Sequence, residues 1–112
     1  MDDAHTRLLE ELASTQRRLD RLTADFDEVV AASKDTNADD EHDPEGATIA
    51  FERAQVSSVM HATREHLVDV RAAIARWEAG DYGTCERCGR PIAEARLEAR
   101  PTARRCVACA SA

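Results

Sequence analysis

The sequence predicts a mainly α fold: an antiparallel helical hairpin, in effect a coiled coil, followed by a small four-cysteine module. Three observations predict it. Two long stretches carry apolar residues at heptad spacing, an acidic stretch with Pro44 and Gly46 separates them, and two Cys-x-x-Cys pairs close the chain. The expected division is residues 1–79 for the hairpin, with an acidic tip at 33–47, and 80–112 for a C4 zinc-finger module.

In the first stretch the apolar residues fall at Leu8, Leu12, Leu19, Leu22, Phe26 and Val29, and Thr15 fills the gap in the four-three alternation. That is a heptad seam. A second seam runs through Ile49, Val56, Met60, Thr63, Leu67, Val70, Ile74 and Trp77, with Arg53 as its main flaw. Neither stretch holds an internal Pro or Gly, and the residues off the seams are largely Glu, Asp, Arg, Gln and Ala. Helices of about 27 to 32 residues would reach roughly 40 to 48 Å at about 1.5 Å per residue. An antiparallel hairpin is the simplest way to bury both stripes. A parallel homodimer of each helix is the rival arrangement, and a monomeric hairpin is the expectation because a connection of roughly 14 residues reverses direction easily.

Between the seams lies Asp35-Thr-Asn-Ala-Asp-Asp-Glu-His-Asp-Pro-Glu-Gly46, with six carboxylates and no Lys or Arg. Pro44 and Gly46 are turn and stop signals, so this stretch is placed at the hairpin's tip. Like charges crowded there repel and do not stabilise the fold. One reading is a solvated linker. Another is a calcium loop, since Asp35, Asn37 and Asp39 match the opening of an EF-hand; but Asp40 stands where the sharp turn wants Gly and Gly46 where a bidentate Glu belongs.

After Trp77, Cys85-x-x-Cys88 is followed by Cys106-x-x-Cys109 at an interval within the window of zinc ribbons and fingers. Each pair turns two sulfurs toward one ion, and Gly89 relieves the backbone crowding of such a knuckle. Four thiolates form a closed tetrahedral shell with no position for water, so the expected cofactor is one structural Zn2+, bound by Cys85, Cys88, Cys106 and Cys109. Tetrahedral sulfur sites favour zinc over iron in small structural modules. So small a module folds on the free energy of its metal, roughly 10 to 16 kcal/mol in zinc-finger peptides. Two disulfides, four free thiols or a redox switch share the pattern. Arg87, Arg90, Arg104 and Arg105 lie near enough in sequence to offset the two negative charges left on the site, or to touch phosphate.

Composition bounds the function. At 112 residues and 4% aromatics the chain suits long helices over a sheet-rich core. A formal net charge of -7 argues against a protein that coats nucleic acid, and the module shows no helix with a basic, base-reading face. Sequence-specific nucleic-acid binding is therefore not expected. No apolar run approaches the roughly 18 to 20 residues that span a bilayer, and the N-terminus lacks a secretory pattern, so the expected location is cytoplasmic with no membrane partner. No residue set supports a reaction. His5, His42, His61 and His66 read as surface residues, Ser14, Ser33, Ser57, Ser58 and Ser111 lack a nucleophile-elbow context, and Trp77 reads as packing the hairpin's base against the module.

The segment Asp81–Cys109 resembles the zinc-finger signature of the DksA/TraR family: Tyr82-Gly83, Cys85-x-x-Cys88-Gly89, Ile92, Arg96-Leu97-Glu98-Ala99 and Pro101-Thr102-Ala103 before Cys106-x-x-Cys109. The hairpin agrees with the family's architecture without diagnostic words of its own. The resemblance implies a non-enzymatic regulator that binds RNA polymerase directly and inserts its coiled-coil tip into the secondary channel. Family members act through acidic tip residues in a pattern Asp-x-x-Asp-x-Ala. Here Asp43-Pro44-Glu45-Gly46-Ala47 offers Asp43 as the first Asp and Ala47 as the Ala after a one-residue gap, with Glu45 or Asp40 in place of the missing second Asp. Asp39, Asp40, Asp43, Glu45 and Ala47 are thus the expected tip contacts, and Arg96 and Arg100 the expected module contacts, by position in the shared segment. The middle of the second helix offers only Arg64 and Arg71, which argues against synergy with ppGpp. The alternatives are a zinc-stabilised coiled-coil adaptor for another protein and a DNA-binding zinc finger.

Overall fold

A computed structural model describes residues 3–35 and 44–111. Helix α1 runs Asp3–Asp35 (33 residues) and α2 runs Pro44–Glu78 (35 residues), followed by the short helices α3, Glu94–Ala99, and α4, Val107–Ala110. The fold is mainly helical, a long helical hairpin followed by a small cysteine-bearing module. Among the described residues the only β pairing is an isolated antiparallel bridge between Thr84 and Pro91. No helix among them is long and apolar enough to cross a membrane.

Both long helices outrun their predicted lengths. Pro44 opens α2 instead of lying in the turn before it, so Glu45 and Gly46 are helical too. A proline at the first helical position costs nothing in hydrogen bonding, because that N–H has no intrahelical partner in any case. The far end of α2 closes on a glycine. Gly80 adopts φ 83°, its N–H donates to the Trp77 carbonyl at 3.1 Å and the Asp81 N–H to the Arg76 carbonyl at 2.8 Å. These are the two bonds of a Schellman cap, which needs a left-handed residue at this position.

The chain forms two compact units, residues 1–14 with 66–112, and residues 15–65. In the first, the opening turns of α1 pack antiparallel to the last turns of α2. His5 stacks on Trp77 with ring centroids 3.9 Å apart, and Glu11 Oε2 meets His66 Nε2 at 2.6 Å. Leu8, Leu67, Val70 and Ala73 are buried here, and Leu8 and Val70 are fully inaccessible. His5 and His66 are therefore half-buried contacts between helices, not plain surface groups, whereas His61 is exposed and meets Glu65 one turn on at 3.6 Å. Trp77 is engaged with α1 through His5.

In the second unit Thr15, Met60 and Thr63 are buried, while Leu19, Leu22, Phe26, Val29, Ile49 and Val56 are half-buried. Two helices alone cover only one stripe of each other, so partial burial is the expected result. Thr63 satisfies its hydroxyl on the Val59 carbonyl at 2.7 Å, the local bond that lets a threonine occupy a seam position. Arg53, the flaw in the second seam, is exposed, and its guanidinium lies 5.9 Å from the centroid of the Phe26 ring, a cation–π contact between the two helices.

Candidate metal centre and the arginine groove beside it

The four sulfurs come from two local frames. In the first, Gly89 at φ 75° lets its N–H donate to the Cys85 carbonyl at 3.0 Å, while the Cys85 N–H donates to the Arg90 carbonyl at 2.9 Å. This tight double bond turns the chain so that both sulfurs of the pair face one side. In the second, Cys106 is extended at φ -69°, ψ 165° and leads into α4, which carries Cys109; the Ala110 N–H donates to the Cys106 carbonyl at 2.9 Å. The Glu86 N–H donates to the Arg104 carbonyl at 2.9 Å and ties the two frames together.

The Sγ atoms of Cys85, Cys88, Cys106 and Cys109 all lie within 4.8 Å of one another, and the Cys88 and Cys106 sulfurs are 3.8 Å apart. A zinc ion with Zn–S bonds of about 2.3 Å sets the edge of its sulfur tetrahedron at about 3.8 Å. The donor set therefore fits one structural zinc ion. The surroundings of the thiols agree. Backbone amides at Cys88 and Cys106 lower Cys85 to about 6, and the Cys109 amide lowers Cys106. Hydrogen bonding to Cys106, then burial, then Cys85 and Cys88, raises Cys109 to about 12. Amides thus favour thiolate on two of the sulfurs, and the crowd of sulfurs keeps a proton on a third until a dication displaces it.

Cys85, Ile92, Leu97 and Ala103 form the module's own core, with Tyr82, Cys106 and Cys109 packed against it. The words of the zinc-finger signature are the parts of this core. The Ile92 N–H donates to the Gly83 carbonyl at 2.7 Å, and the Tyr82 hydroxyl donates to the Pro101 carbonyl at 2.8 Å. Burial raises the Tyr82 phenol, and Arg7 and Arg76 oppose that shift.

Beside the metal ligands lies an open groove of about 400 Å3 bordered by Asp69, Glu86, Arg96, Arg100, Arg104 and Arg105, with Thr102, Ala103 and Ala110. Both expected module contacts, Arg96 on α3 and Arg100 just after it, line this groove. Arg104 Nη2 lies 3.6 Å from Asp69 Oδ1, Arg105 Nε donates to Glu86 Oε2 at 3.1 Å, and Arg96 Nε donates to the Arg105 carbonyl at 2.8 Å. The carboxylates of Asp69 and Glu86 thus take Arg104 and Arg105. Arg76 reaches the Thr102 carbonyl at 3.5 Å, and burial, then Arg104, pushes it below its ordinary value.

Of the expected tip residues, Asp39, Asp40 and Asp43 lie outside the described residues, as do Asn37 of the calcium reading and His42. Glu45 and Ala47 lie at the start of α2, and Ala47 is exposed. Spacing gave no sign of Glu11, His66, Asp69 or Glu86 as contact residues, because their partners are far away in sequence: Glu11 and His66 are 55 positions apart.

Residues 80–112 match the prokaryotic dksA/traR C4-type zinc finger. General stress protein 16O of Bacillus subtilis (strain 168) is 31% identical over 94 residues, 84% of this chain and 54% of that protein. The RNA polymerase-binding transcription factor DksA of Caulobacter vibrioides is 52% identical over 40 residues, 36% of this chain and 28% of that protein. The chain thus spans about half the length of the first relative and less of the second. The structure of transcription factor DksA2 from Pseudomonas aeruginosa superposes with a TM-score of 0.83, covering 98% of this chain and 79% of that one at 24% identity, which is a likeness of fold. Residues 80–112 thus carry the C4-type zinc finger of the dksA/traR family.

Proposed function

We propose that this chain is a transcription regulator, not an enzyme, that binds RNA polymerase directly, reaches into its secondary channel with the acidic segment between α1 and α2, and modulates the active centre there. The observation that carries this reading is the C4 finger itself, shared with proteins named as RNA polymerase-binding transcription factors and attached here to two long helices. Zinc supplies structure and no chemistry in this scheme, since four thiolates leave no coordination position for a substrate or water.

Each part has a physical role. The metal gives the finger the free energy it lacks, and the groove presents four guanidinium groups against two carboxylates in a chain of net charge -7. Arg96 and Arg100 dock an acidic surface of the polymerase. Asp39, Asp40, Asp43 and Glu45 bring negative charge toward a magnesium-bearing centre, and Ala47 keeps the helix start small enough to enter beside it. The protein acts as a monomer, without ppGpp and without reading DNA sequence.

The test is a pull-down of purified polymerase, with and without an excess of another secondary-channel factor. Association that the competitor abolishes is the expected result. No association, or association indifferent to the competitor, contradicts the reading.

A further inference from the structure

The groove beside the metal ligands carries anions of its own. Four guanidinium groups border it, Arg96, Arg100, Arg104 and Arg105, and two carboxylates, Asp69 and Glu86, sit among them. Arg104 Nη2 lies 3.6 Å from Asp69 Oδ1, an ion pair longer than a hydrogen bond. Arg105 meets Glu86 Oε2 through its Nε at 3.1 Å, and Arg96 likewise spends its Nε on the Arg105 carbonyl at 2.8 Å. A guanidinium is a planar fork of donors, so a bond through Nε leaves the terminal amino groups for a second acceptor.

The Asp69–Arg104 pair does not hold the fold together. Its side chains are 51% and 44% exposed, and an exposed pair adds little stability. The turn that carries Arg104 is fixed by other bonds. The Ala103 N–H donates to the Arg100 carbonyl and the Glu86 N–H to the Arg104 carbonyl, each at 2.9 Å. The Tyr82 hydroxyl donates to the Pro101 carbonyl at 2.8 Å, and Arg76 Nη2, further along α2 than Asp69, reaches the Thr102 carbonyl at 3.5 Å. Loss of the Asp69 charge leaves every one of these bonds in place. What changes is the field in the groove: four guanidiniums less two carboxylates give a formal charge of +2, and less one carboxylate, +3.

We propose that Asp69 is a stand-in ligand: its carboxylate occupies, on Arg104, the place that a carboxylate of an acidic protein partner takes on docking, so the chain competes with its own partner and Asp69 sets how tightly the groove docks. The occupants already on the groove's guanidiniums are carboxylates, and a loose contact at 3.6 Å yields to a partner carboxylate that reaches bidentate geometry. A structural pair and a stand-in predict opposite signs. Removing a structural pair loosens the turn and weakens docking, whereas removing a stand-in frees Arg104 and strengthens it. Polymerase as the partner rests on the function proposed above; the competition at Arg104 does not.

The experiment uses full-length protein loaded with one zinc per chain: wild type, Asp69→Asn, Arg104→Gln, the Asp69→Asn/Arg104→Gln double, and Glu94→Gln. The last removes the same charge from an exposed position of α3 outside the groove. A dye-labelled hexaglutamate peptide is the probe, read by anisotropy at low salt, and purified polymerase is measured beside it. Asp69→Asn binds the peptide roughly two- to fivefold more tightly, the scale of one exposed ion pair, and Glu94→Gln gains less. Arg104→Gln costs more affinity in the Asp69→Asn background than in the wild type, because only there is the guanidinium unoccupied. Polymerase affinity moves in the same direction, and amide hydrogen exchange at Ala103 and Glu86 is unchanged in Asp69→Asn.

Unchanged or weaker peptide binding in Asp69→Asn, an equal gain in Glu94→Gln, or an equal cost of Arg104→Gln in both backgrounds overturns the stand-in. Faster exchange at Ala103 in Asp69→Asn makes the pair structural and overturns it too. Binding of inorganic tripolyphosphate without binding of the peptide overturns the carboxylate partner. Binding of the peptide but not of polymerase by the wild type removes the function proposed above, and the peptide data then decide the stand-in.

Discussion

Replacing Leu97 by Ala tests whether the module's small core and its metal share one free energy. Leu97 sits on α3 at 9% exposure, in the cluster with Cys85, Ile92 and Ala103. Leu→Ala changes in cores cost about 2 to 5 kcal/mol, and a module this small collapses readily around a gap, which places the cost near 2 to 3 kcal/mol. In an ordinary domain that loss lowers the unfolding free energy. Here folding and metal binding are one equilibrium, so it emerges as zinc affinity. At about 1.4 kcal/mol per factor of ten, Leu97→Ala binds zinc roughly 30- to 150-fold more weakly than the wild type. Competition against a chromophoric chelator at fixed pH measures this, with Val68→Ala as the control because Val68 is 62% exposed on α2. The control stays within about 0.5 kcal/mol. Equal zinc affinity in Leu97→Ala and wild type would show that the module is built before the metal arrives, and would refute the coupling.

Zinc binding near pH 7 releases protons, among them the one on Cys109, whose thiol is raised to about 12, and a weakly buffered titration detects them. Cys85 is lowered to about 6 from an ordinary 9, so its contribution to the metal-free fold is present above pH 9 and is lost as pH falls through 6; zinc affinity falls along the same acid limb. Proton release absent at pH 7, or affinity flat between pH 8 and 6, contradicts both statements. Gly80→Ala costs roughly 1 to 2 kcal/mol in denaturant unfolding, because the left-handed φ of 83° is strained for any side chain although nothing lies within 4 Å of the added Cβ. The pair Asp43→Ala and Glu45→Ala leaves polymerase association nearly intact and removes the transcriptional effect; equal loss of both makes the tip an anchor instead of an effector.

Periodicity and ligand spacing made the helices and the metal set legible, because both are written locally. Leu8, Leu67 and Val70 stand at heptad positions and are buried, and two Cys-x-x-Cys pairs at a finger's interval bring four sulfurs within 4.8 Å. Ends were less legible. Pro44 reads equally as a turn residue and as a first helical residue, and the choice depends on backbone geometry outside the residue itself. Ala73, fully buried in α2, was missed because alanine lines both cores and surfaces of helices.

Long-range polar contacts were not legible at all. His5 on Trp77 and Glu11 on His66 join opposite ends of the sequence, and no local pattern marks them. The zinc-finger words, by contrast, acquire causes. Tyr82 and Pro101 share a hydrogen bond, Gly83 and Ile92 share another, and Leu97 and Ala103 fill the space between them.

The central claim is that the segment between α1 and α2 is delivered to the polymerase interior. A photo-crosslinking amino acid placed at position 43, activated in a whole-cell lysate, tests it in one step. The predicted product is a crosslink to polymerase subunits lining the secondary channel, lost when a competing channel factor is added. Crosslinks to another protein or to nucleic acid in its place would contradict the account.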